Sequence, residues 1–175
     1  MDWYRIVLET IDMRSFSNLW FWIALAVTWS STSHWVLGVP FDMVARARRL
    51  GGQAHEDLED MTRINVNRIL FIAHEAGLWL VGIGCAVMTG LVLLGFLYRV
   101  ELAQALFLLG FPMMMVGVMS VFTASSIQRN ALSGPDLWKK LTRHRLYTQM
   151  IGMLAIFVTA LWGMYQNMSI AVLGG

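Results

Sequence analysis

Residues Ile69–Tyr98 read ILFIAHEAGLWLVGIGCAVMTGLVLLGFLY. A helix of about 20 mostly apolar residues spans the hydrocarbon core of a bilayer, so this run crosses with turns to spare. It also holds an ionisable pair, His74 and Glu75, inside an otherwise apolar segment. A charged group at that depth costs about 2 kcal/mol or more and calls for partners or nearby water. The stretch decides the class: a chain threaded through a membrane, with one polar spot to be accounted for.

The rest of the chain agrees. Of 175 residues, 57% are hydrophobic and 14% charged, and the mean hydropathy is +0.58. That balance excludes an ordinary soluble domain. The lone Cys85 rules out an intrachain disulfide. Asp2, Glu9 and Asp12 stand where a cleavable signal would be basic, so the chain is expected to be uncleaved.

Working outward, four spans are expected, at about 18–37, 69–98, 102–124 and 146–168, with helical loops at 39–68 and 129–145. Ahead of the first, Asp2–Met13 alternates charge with Trp3, Tyr4, Ile6, Val7, Leu8 and Ile11, which suits a helix lying in the interface. Ser15 or Ser17 is the expected cap of the first span. That span opens on Trp20, Phe21 and Trp22 and closes on Trp35, as aromatic belts do. Its far end turns polar at Ser30–His34, where hydroxyls can bond back one turn. Pro40 opens a short helix that stops at Gly51–Gly52. No breaker separates Asp57 from Tyr98, which predicts one long helix that leaves the membrane, with a Glu59–Arg63 pair on it. A tight turn is expected at Tyr98–Glu101, a bend at Pro112, and a helix-opening turn at Ser133–Asp136.

Small residues recur at helical spacing. Gly82, Ala86 and Gly90 mark the second span, Gly110 and Gly117 the third, and Gly152 and Gly163 the fourth; such seams let a neighbouring helix approach closely. The Met113–Met115 run reads as adaptable packing.

Lys and Arg fix the orientation. The two loops between spans one and two and between three and four carry ten, against three (Arg5, Arg14 and Arg99) on the other side. The positive-inside rule then puts both loops in the cytoplasm and both termini in the periplasm. The fold class expected is an all-α membrane protein, a four-transmembrane-helix bundle with an N-terminal interfacial amphipathic helix and helical cytoplasmic extensions.

The strings IDMRSFSNLW, SHWVLGVP, LEDMTRINVNRIL, LTRHRLYTQMIGM and VTALWGMYQN resemble a family of small four-span inner-membrane proteins of alphaproteobacteria, a likeness that covers nearly the whole chain. That family is sometimes labelled a component of the SufBCD complex of iron–sulfur assembly. The resemblance implies a bacterial inner-membrane location and brings no catalytic motif with it.

This topology gathers the polar residues at one level: Ser30–His34, His74 and Glu75, Ser120–Gln128, and His144 with Gln149 all fall within about two turns of the cytoplasmic interface. The plain reading is an interhelical hydrogen-bond network, with Glu75 paired to Arg68 or to an arginine from a neighbouring loop. A haem or metal site on His34, His74 and His144 is the alternative. Against it, no two histidines share a helix at i,i+4, and neighbours such as His74 and Glu75 point about 100° apart. Transport lacks support, because the outer half of each span reads apolar and no internal repeat is evident. His55, in a charge run, is expected to be solvated. The functional expectation is a non-enzymatic accessory subunit or assembly factor of a larger inner-membrane complex, respiratory or photosynthetic. Its expected partners are membrane lipids and other integral subunits; neither a cofactor nor nucleic acid is expected.

Overall fold

The structure, a computed structural model, describes Phe16 and residues 18–173, with side-chain surroundings as far as Met168. The expected interfacial helix at Asp2–Met13 lies outside the described residues, as do Ser15 and Ser17. The elements are α1 (Leu19–His34), β1 (Trp35–Val36), β2 (Val39–Pro40), α2 (Phe41–Leu50), α3 (Gly52–Val92), α4 (Glu101–Arg129) and α5 (Gly134–Leu173). A π-helical turn, Leu93–Leu97, extends α3.

Three of these helices are long and apolar enough to cross a membrane: Gly52–Leu97, Glu101–Arg129 and Gly134–Met168. Their apolar residues face outward, Leu78 being 87% and Trp79 73% exposed. A chain surrounded by water does not keep so large an apolar surface bare. The protein is therefore built for a membrane, and α3 is the single long helix that the sequence predicts.

The first expected span is shorter than its hydropathy suggests. α1 has 16 residues, about 24 Å at 1.5 Å per residue, against roughly 30 Å of hydrocarbon. Asn18 is its cap, its side chain accepting from the Trp20 amide. At its other end Leu37 and Gly38 both take positive φ, 54° and 76°. Two such residues form the tight turn whose twist suits a hairpin. Trp35 pairs with Pro40 and Val36 with Val39. The polar far end of α1 behaves as expected, Thr32 donating to the Thr28 carbonyl and Ser33 to that of Ser30.

The hairpin and α2 fold back on the ends of α3, α4 and α5. There Val36, Leu37, Val39, Val44, Leu58 and Leu141 form the heart of a core, closed by Ala124, Ile127 and Leu137. The helical loops thus enclose apolar side chains of their own. Asp42 in the first turn of α2 and Arg48 and Arg49 in its last both suit the helix dipole. Asn65 of α3 donates to the Gly38 and Met61 carbonyls and pins the hairpin. The expected Glu59–Arg63 pair gives way to two others. Glu59 turns inward to accept from the Gly134 amide at the start of α5 and from His55, and Arg63 pairs with Asp60. An otherwise unsatisfied helix N-terminus outbids an exposed ion pair.

Through the apolar region α4 packs against α3 on one side and α5 on the other, and α1 lies on α5. Leu25, Trp29, Val116 and Ala155 form the small core there. α4 runs past Pro112 without interruption.

Candidate functional site

The sequence offers five polar residues for one cluster, and the structure encloses one of them. His144 is 4% exposed, while His34, His74 and Glu75 lie on the surface and Gln149 is half-buried. His34 meets Trp35 edge-on, 6.0 Å between ring centres. Glu75 forms no ion pair among the described residues, with Arg68 or any other. Nor does any group of three or more His, Cys, Asp or Glu side chains among them stand close enough to hold a metal ion.

His144 is held between α4 and α5 at both ring nitrogens. Nδ1 is 3.0 Å from Thr123 Oγ1, and Nε2 is 3.4 Å from Ser120 Oγ. Ser120 already donates its proton to the Val116 carbonyl, 2.8 Å away. Its oxygen must therefore accept, so Nε2 carries the ring proton and Nδ1 receives one from Thr123. One turn on, Thr148 donates to the His144 carbonyl. The ring is a fully satisfied peg between two helices, and its nitrogens are spent.

Beside this peg an open groove of about 430 Å³ runs between α4 and α5. Met114, Met115, Val118, Met119 and Phe122 line it from α4, and from α5 Lys140 and Arg143 stand at its charged end with Tyr147 one turn deeper. A second groove, about 580 Å³ and almost wholly apolar, lies between α3 and α4. The two share Met114, Val118 and Phe122, an i, i+4, i+8 ridge along α4. The methionine run divides its work: Met113 packs into the bundle core, while Met114 and Met115 face the grooves.

Other polar ties join the same end of the molecule. Arg145 Nε donates to the Ser33 carbonyl, and its guanidinium lies 4.0 Å over the Phe41 ring. Gln128 donates to Asn67. His55, expected to be solvated, is half-buried against Trp138, 5.4 Å between ring centres, and paired to Glu59 at 3.1 Å.

The opposite end is not the apolar zone that the sequence suggests. Gln104 of α4 is 2% exposed. Its amide nitrogen donates to the Gly95 carbonyl at 2.7 Å, and its oxygen accepts from Trp162 Nε1 at 2.9 Å and Gln166 Nε2 at 2.6 Å. Gly95 lies in the last turn of the helix, which ends at Leu97, so its carbonyl is one of those that a helix end leaves without an intrahelical partner. A Cβ on Gly95 would stand 2.9 Å from the Gln104 backbone nitrogen. Glu101 accepts from the Phe16 amide at the same end. The signal was a lone amide within the apolar run LAQALF.

The small-residue seams divide in two. An added Cβ at Gly110 would meet Met88, at Gly152 Trp29, and at Gly163 Phe16 and Trp22. At Gly82, Gly90 and Gly117 it would meet nothing within 4 Å among the described residues, and Ala86 is exposed. The described residues cover one set and leave the other bare. No known family model, curated protein or solved structure matches this chain.

Proposed function

We propose that the chain is a non-catalytic accessory subunit or assembly factor within a larger complex of the bacterial inner membrane, respiratory or photosynthetic. The bare face of α3 carries this reading. Gly110, Gly152 and Gly163 are pressed against side chains, whereas among the described residues an added Cβ at Gly82 or Gly90 meets nothing and Ala86, midway between them at a spacing of four, is exposed. Close approach of a second helix is what such spacing serves in lipid, where packing rather than hydrophobicity draws helices together. The water-side core supports it too, since it braces α3 and α5 beyond the apolar zone and gives a partner a stiff surface.

In this reading α1 is a fourth span, its short length accommodated by local thinning of the bilayer, and the bundle has four helices. Arg46 on α2 and Lys139 on α5 then face the cytoplasm together, with both termini periplasmic. Single cysteines at these two positions, in a Cys85→Ser background, are expected to react with a charged maleimide in inverted vesicles and not in intact spheroplasts.

The test of the role is extraction in a mild detergent followed by native electrophoresis. A larger species that falls to monomer mass in Gly82→Leu/Gly90→Leu is expected. A wild-type protein that migrates alone at monomer mass overturns the proposal.

A further inference from the structure

We infer that the two grooves flanking α4 hold one anionic diacyl phospholipid, its headgroup phosphate between Lys140 and Arg143 and one acyl chain on each side of the Met114–Val118–Phe122 ridge. Three observations converge on it. The first is charge. Neither Lys140 nor Arg143 takes part in an ion pair or hydrogen bond among the described residues, although Lys139 beside them pairs with Asp136 and Arg145 is occupied by Ser33 and Phe41. Two unengaged cations one turn apart suit a phosphodiester.

The second is depth. From Phe122 to Met114 the ridge runs eight residues, about 12 Å, away from the cations, close to the roughly 15 Å of one leaflet. A lipid anchored at Lys140 and Arg143 therefore lays its chains along the ridge in the direction that a leaflet requires. The third is the lining. Methionines adapt to a chain of no fixed shape, and Gly117, with nothing within 4 Å of an added Cβ, keeps the second groove open beside the ridge.

The polar atoms argue against a neutral headgroup such as a quinone. His144 spends both nitrogens on Thr123 and Ser120, and Ser120 spends its proton on Val116. Those residues offer a carbonyl ligand little. What remains at the mouth is positive charge.

The experiment is native mass spectrometry of the protein in a neutral detergent, titrated with phosphatidylglycerol or with phosphatidylcholine of the same acyl chains. Wild type is expected to hold one phosphatidylglycerol in preference to phosphatidylcholine. Lys140→Gln/Arg143→Gln is expected to bind it roughly ten- to thirtyfold more weakly, the effect of two juxtamembrane cations. Val118→Trp, which fills the ridge without touching charge, should lose it too; should that variant fail to fold, the charge pair decides alone. Arg48→Gln/Arg49→Gln removes the same charge elsewhere and should bind as wild type. Equal retention of the two lipids would mean a merely annular shell and overturn the inference. So would an equal loss in the Arg48/Arg49 variant, or full displacement by inorganic phosphate, which would mark a site for a free anion.

Discussion

Gly152→Ala tests whether α1 is seated against α5 as the structure has it. A Cβ at position 152 would stand 2.7 Å from Trp29 Cε3, 3.0 Å from Cδ2 and 3.3 Å from Cζ3. Carbon atoms pack at about 3.5–4.0 Å, so the indole must retreat by about 1 Å. It has nowhere to go, since Trp29 is 5% exposed and clamped by Leu25, Val116 and Ala155. Forcing a methyl into such a site costs about 1–3 kcal/mol. The same substitution gains up to about 1 kcal/mol of helix propensity, which obscures the sign of the change taken alone. Gly82→Ala supplies the reference, with the same gain and nothing within 4 Å to meet. The expected result is that Gly152→Ala is less stable than Gly82→Ala by about 1–3 kcal/mol, measured by unfolding in mixed micelles titrated with dodecyl sulfate. Adding Trp29→Leu should recover part of the loss, a coupling of about 0.5–3 kcal/mol for residues in contact. Equal stability of the two alanine variants, or a second substitution that recovers nothing, would refute the seating of α1.

Gln104→Leu leaves Trp162 Nε1 and the Gly95 carbonyl without the partners they have now. Bonds of this kind in membranes are worth about 0.6 kcal/mol on average and about 1.7 at most, so the same micelle titration should show a loss of about 1–3 kcal/mol. Gly38→Ala puts a side chain at φ +76°, with its Cβ 3.0 Å from Asn65 Oδ1. The left-handed backbone alone costs about 1–2 kcal/mol. The hairpin should therefore loosen, read as faster proteolysis at Arg46–Arg49 in detergent. Cys85 is exposed on α3 and lines the apolar groove. In native membranes it should resist a charged maleimide yet react with a lipid-soluble one; ready labelling by the charged reagent would place it in water.

Run length and punctuation made the long helices legible. Nothing between Asp57 and Tyr98 can stop a helix, and α3 does not stop; Ser133–Asp136 can open one, and α5 opens there. The turn at Arg99, with φ 57°, also stands where Tyr98–Glu101 predicts it. Helix faces were much less legible. The first span is expected to run to about residue 37, but α1 ends at His34 and Leu37 and Gly38 reverse the chain, with Asn65, 27 residues on from Gly38, donating to the Gly38 carbonyl. The histidines fail for a related reason. Sequence places His74 and His144 at the same depth, but only packing decides that one meets Thr123 and Ser120 while the other looks outward. Gln104 carries little signal in the sequence, because a single amide in an apolar run has no visible partner until Gly95, Trp162 and Gln166 are brought round it.

The uneven placement of the two cores says where the fold is anchored. Among the described residues, eleven buried side chains make up the core at the basic end and four the one amid the spans. In lipid the second gains little from burial, because the acyl chains it displaces are as apolar as the side chains themselves. Outside the hydrocarbon the same contacts are driven by water, at about 25 cal/mol for each Å² of apolar surface removed. The hairpin and α2 therefore do more than connect: they fasten the ends of α3, α4 and α5 where the hydrophobic effect is available, and Gln104 with its partners ties the opposite end by hydrogen bonds. With both ends secured, the middle of α3 has no need to cover its own small residues. The face at Gly82, Ala86 and Gly90 can stay bare without loosening the chain, and that is the condition a surface must meet to be reserved for another helix.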